Sequence, residues 1–110
     1  MGLSDDQIAE LKSQHGAWLQ LEVFDGPDGD VEVVLKPPTP AAYKRFIDER
    51  NEGKIMVTTS FQAFVDPCVV YPSAAEFKQI TDQLSGIRVS LSVALQKMGG
   101  GQGARESKKL

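Results

Sequence analysis

Hydrophobic and polar positions change their beat several times along this chain, and each change marks an expected element. From Trp18 to Phe24 they alternate, with Leu19, Leu21 and Val23 on one side and Trp18, Gln20, Glu22 and Phe24 on the other. Val31 to Lys36 repeats the alternation with Val31, Val33 and Leu35 on one face. Period two is the signature of a half-buried strand. Asp25-Gly-Pro-Asp-Gly-Asp30 lies between the two runs and is turn chemistry, so the pair reads as an N-terminal β-hairpin.

The rest of the chain keeps a helical period. Ser4, followed by Asp5 and Asp6, starts a short helix with an apolar edge of Ile8 and Leu11, ending by His15-Gly16. Pro37-Pro38 stops the second strand, and Thr39-Pro40 caps a helix whose inner side carries Tyr43, Phe46, Ile47 and Arg50. Residues 54–67 carry two signals. Ile55, Val57, Thr58 and Thr59 favour a strand, whereas Val57, Phe61, Phe64 or Val65, and Cys68 recur at helical spacing; we assign a helix closed by Asp66-Pro67.

Ser73-Ala-Ala-Glu76 has the spacing of a capping box and opens a helix with Phe77, Ile80 and Leu84 on one side. Ser85-Gly86 closes it, and Ile87, Leu91, Ala94 or Leu95, and Met98 repeat the pattern until Gly99-Gly-Gly stops it. Residues 99–110 are too polar and glycine-rich to repay the entropy of ordering, and read as a flexible, basic tail. The expectation is one small α+β domain over residues 1–98. It has an N-terminal β-hairpin, about four helices and a mostly helical C-terminal half.

Composition narrows the function more by what it withholds. At 110 residues, with 41% hydrophobic content, the chain suffices for one modest core. No run reaches the roughly 18 apolar residues of a membrane span, and the N-terminus has no basic start before an apolar stretch, so a cytoplasmic protein is expected. The net charge of −3 hides a polarity: residues 1–35 hold eight acids against one base, and the remainder seven acids against eleven bases. That asymmetry could steer a partner or self-association. Basic residues do not alternate with aromatics, which argues against nucleic-acid binding.

Candidate chemistry is sparse. Cys68, the one cysteine, lies among apolar residues and has no basic partner but His15, so it reads as a buried hydrophobe. Asp25, Asp28 and Asp30 lack the spacing and the closing glutamate of a calcium loop. The glycines at 99–103 follow a helix instead of leading into one, the wrong context for a phosphate loop. Neither a metal, a cofactor nor an enzymatic reaction is expected. A binding or assembly protein is.

Several blocks carry a resemblance. Leu11-Lys12, His15-Gly16, the Trp18–Phe24 strand, Leu35-Lys-Pro-Pro-Thr39 and Tyr43-Lys-Arg-Phe46 resemble, in order, the small tail assembly chaperones of long-tailed bacteriophages and prophages. Cys68-Val-Val-Tyr-Pro-Ser73 with Glu76-Phe77 is the most specific block. The resemblance implies a protein of the host bacterial cytoplasm, absent from the mature virion, that holds the long, helical tape-measure protein soluble until tail-tube subunits assemble around it. The tape-measure protein is the implied partner, with the tail tube protein second and a homo-oligomer open. Lys108-Lys109 would suit the reading-frame slip that lengthens some relatives.

The 55–60 segment is richer in β-branched residues than the family's helix, and Pro67 precedes the cysteine block, so a shorter or distorted helix is expected there. As partner-binding residues we select Tyr71 and Pro72 in the loop, with Phe61 and Phe64 on the preceding helix; core packing is the competing role for both phenylalanines. Rival readings are an enzyme or small-ligand protein using a pocket between hairpin and helices, a structural tail component such as a tail completion or tube protein, and a generic bacterial interaction module.

Overall fold

The computed structural model describes residues 3–53 and 58–99, together with all side chains in those ranges except Thr58 and Thr59. Its elements are α1 (Asp5–His15), β1 (Gln20–Gly26), β2 (Gly29–Leu35), α2 (Pro40–Asn51), α3 (Thr58–Val65), β3 (Val69–Tyr71), α4 (Ala74–Gln83) and α5 (Ile87–Met98). A single 3₁₀ turn, Asp66–Cys68, joins α3 to β3. The fold is α+β, as expected, with five α-helices among the described residues instead of about four. The tail expected from residue 99 lies, from residue 100 onward, outside the described residues, as do residues 54–57 of the ambiguous segment.

The three strands form one antiparallel sheet in the order β1-β2-β3. β1 and β2 pair without interruption from Gln20↔Leu35 to Gly26↔Gly29. Gly29 holds φ +123°, a left-handed conformation that glycine adopts without steric cost. β3 adds to β2 at Val34↔Tyr71 and Leu35↔Val69 across a local irregularity, and Lys36 N–H donates to the Cys68 carbonyl (2.9 Å) just beyond. Paired residues share a sheet face, so Gln20, Glu22, Phe24, Val31, Val33 and Leu35 form one side.

That side meets the helices. Val33, Leu35, Phe46, Phe64, Val65, Cys68, Phe77, Ile87, Leu91, Leu95 and Met98 make the core. Phe46 stacks on Phe64 at 4.1 Å between centroids, and Tyr43 meets the same ring edge-on at 6.3 Å. α5 contributes most to this centre, burying Ile87, Leu91, Ser92, Ala94, Leu95 and Met98.

β1 departs from its own pattern. Leu21 and Val23 face away from the core and are 47% and 52% exposed, whereas Glu22 and Phe24 are half-buried. Register explains the inversion: β2 commits Val33 and Leu35 inward, and pairing then forces Glu22 and Gln20 to the same side. α1 lies on the outer face, where Leu3 N–H donates to Glu32 (3.1 Å), and it buries no residue of its own.

Three helix N-termini follow the sequence signals, whereas Gly86, expected to close α4, keeps φ −85° and stands at the start of α5, α4 ending at Gln83 with Leu84 as its cap. Ser4 accepts from Gln7 N–H and completes a capping box, Thr39 accepts from Ala42 N–H, and Ser73 accepts from Glu76 N–H. α3 ends at Val65 and gives way to the 3₁₀ turn carrying Pro67, the shortening expected from that proline.

Candidate binding groove

The four residues selected from sequence do not converge. Phe64 is 3% exposed in the aromatic stack, and half-buried Phe61 leans on Phe46 at 6.0 Å. Both are packed within the helical layer. Tyr71 is half-buried in β3, not in a loop, and its side chain borders a shallow cleft against α1 with Leu3 and Leu11. Pro72 follows a cis peptide bond, is buried, and lines a different recess.

That recess, about 440 Å³, lies between α4, the 3₁₀ turn and the start of α5. Its wall is held by Arg88, whose Nε and Nη2 donate to the two carboxylate oxygens of Asp66, each at 3.0 Å. The guanidinium also lies over the Phe77 ring, 5.5 Å from its centroid. With both charges paired, the arrangement braces α5 against the 3₁₀ turn.

The feature best suited to a partner lies elsewhere. A groove of about 540 Å³ runs between Trp18, Pro37-Pro38, Pro40, Tyr43, Ile47 and the α5 terminus at Met98-Gly99. Trp18 is 58% exposed on its rim. The proline run has no backbone N–H to leave unpaired, so it offers an apolar wall at little polar cost. Lys44 and Asp48 close one side as an exposed ion pair at 2.8 Å, where Asp48 holds the Lys44 ammonium above its ordinary pKa through a hydrogen bond and its charge.

Sequence reasoning placed Tyr43 and Ile47 on the buried stripe of α2, and Trp18 and Pro37-Pro38 in strand and breaker roles. Their shared wall depends on the hairpin's return beside α2 and on the end of α5, a juxtaposition without sequence periodicity. Trp18 ahead of the first strand and the Pro37-Pro38 pair after the second were the available clues.

Among the described residues, no group of three or more His, Cys, Asp or Glu side chains is placed to hold a metal ion. No helix among them is long and apolar enough to cross a membrane. Cys68 is buried, and its thiol donates to the Phe64 carbonyl (3.6 Å); burial pushes its pKa above the ordinary value, partly offset by the Lys36 cation.

Fold and groove together define a small α+β domain with an exposed apolar groove. The chain belongs to the DUF6848 family, a domain of unknown function, whose profile matches residues 11–108. A solved structure, the uncharacterised protein rbstp2171 from Bacillus stearothermophilus, shares the fold at a TM-score of 0.72 and 19% identity, over 91% of this chain and 98% of that one. No curated protein matches the chain.

Proposed function

We propose that the protein is a tail assembly chaperone of a bacteriophage or prophage, which binds the tape-measure protein and keeps it soluble in the host cytoplasm until the tube assembles. The observation that supports this reading is the exposed apolar groove around Trp18, Tyr43 and Ile47. A long helical client displays repeated apolar stripes that aggregate when uncovered, and a concave apolar surface rimmed by charge can seat such a stripe. Each contact can be weak and releasable, because many copies along one client raise the overall binding.

Co-expression with the longest helical protein encoded nearby tests the proposal. The client should remain soluble and co-purify with the chain, and Trp18→Ser should abolish retention while leaving the thermal transition unchanged. A client that precipitates equally with and without the chain would refute the chaperone reading.

A further inference from the structure

We propose that copies of this chain associate head to tail, the outer stripe of α5 in one copy lying along the outer sheet face at β1 of the next. Besides Trp18, the large apolar side chains left exposed among the described residues are Leu21, Val23, Val89 and Val93, and they form two pairs. Leu21 and Val23 stand on the outer sheet face with Asp25 next in line, opposite Val34, Glu32 and Asp30 of β2. α1 covers this face toward β3, where Leu3 meets Glu32 and Leu11 borders Tyr71, and leaves it open along β1. Val89 and Val93 are one helical turn apart on α5, and exposed Lys97 follows one turn later.

Spacing and charge match the two surfaces to each other. Side chains two apart on a strand repeat about every 7 Å, and those four apart on a helix about every 6 Å. Leu21, Val23 and Asp25 therefore fall opposite Val89, Val93 and Lys97 of the other copy when the two elements run in the same direction. Each apolar pair then covers the other, and the charges meet at one end. Asp25 and Asp30 are partners across the hairpin, and neither has an ion pair among the described residues. Carboxylates set opposite each other in this way repel, and a cation between them removes the cost. Lys97 is likewise without an ion pair among the described residues, and Arg50 stands at the same end of α5, its Nη1 donating to Gln96 (3.4 Å). The acidic first third of the sequence and its basic remainder thus supply the two sides of one contact. Because the two surfaces differ, a pair of copies leaves one of each free, so association continues past a dimer unless it closes into a ring. The contact uses none of the groove's side chains and is independent of the client reading.

The patch is small and the contact correspondingly weak, so the full chain should sediment as species that include more than a dimer at about 0.5 mM. Asp25→Lys and Lys97→Asp should each weaken association roughly tenfold, because each sets like charges together. A chain carrying both changes should recover it, since the pair reforms with its signs exchanged. Both positions are exposed, so the helical spectrum should not change. Disulfide capture provides a second measurement, in which buried Cys68 takes no part. Mixed Val23→Cys and Val93→Cys chains should link under mild oxidation roughly tenfold faster than Val23→Cys mixed with Ser13→Cys on exposed α1, owing to the raised local concentration. A wild-type chain that is monomeric at that concentration overturns the proposal, as does a doubly reversed chain that stays dissociated. So does a Val23→Cys chain that links to its own copy faster than to Val93→Cys.

Discussion

Arg88 joins α5 to the 3₁₀ turn through two hydrogen bonds and to α4 through the Phe77 face. Its side chain is only 17% exposed, against 33% for Asp66, so the pair is partly shielded and outweighs an ordinary surface bridge. Arg88→Ala should lower the stability to urea by about 1–2 kcal/mol, less than a fully buried charged bond because Asp66 retains access to water. Arg88→Lys should recover only part, since an ammonium cannot reproduce the two-pronged geometry. Equal stability of wild type and Arg88→Ala would show the brace to be energetically idle.

Cys68 yields a pH prediction. Its buried thiol keeps its proton to higher pH in the folded chain than in the unfolded one, because burial disfavours the thiolate more than Lys36 favours it. The stability this contributes is whole at neutral pH and is lost as pH rises above the thiol's ordinary value. Urea midpoints should therefore fall on the alkaline side more steeply for wild type than for Cys68→Ala. Parallel slopes would contradict the assignment.

Among the elements, α5 and α1 stand at opposite ends of stability. Leu91 and Leu95 are fully buried, so Leu91→Ala should cost about 2–5 kcal/mol in a chemical denaturation, depending on how far the cavity collapses. α1 buries nothing, so its amides should exchange with solvent well before those of α5. The same contrast explains what could be read in advance. Caps at Ser4, Thr39 and Ser73, the hairpin, and the inner stripe of α5 were legible because each is a local pattern of hydrogen-bonding or apolar residues. β3 was not: three residues are too few to show alternation, and only Val69-Val70 hinted at a strand. The orientation of β1 was likewise hidden, because the commitment of Val33 and Leu35 in the neighbouring strand decides which face turns inward. Tyr71, Pro72, Phe61 and Phe64 are close along the chain, but the 3₁₀ turn and β3 distribute them between the core and two separate recesses.

At the scale of the whole molecule, the acidic first third forms α1 and the hairpin, while bases predominate in the remainder. The groove lies where these parts meet, between Trp18 and α2, and its base depends on the end of α5. Gly99 is the critical point there. A Cβ on Gly99 would stand 2.6 Å and 2.7 Å from Cε2 and Cδ2 of the Tyr43 ring, closer than any real contact allows. Tyr43 cannot yield freely, because its ring also packs edge-on against Phe64. Gly99→Ala should thus destabilise the fold by roughly 1–3 kcal/mol, the usual cost of overpacking, and displace Tyr43 in the groove. If the groove holds the client, the same variant should weaken client retention at temperatures where the chain remains folded. Tyr43→Ala removes the clash, so adding Gly99→Ala to it should cost much less than in the wild-type background. Additive losses in that double variant would mean that Gly99 is required for its backbone alone and that the groove's shape does not depend on it.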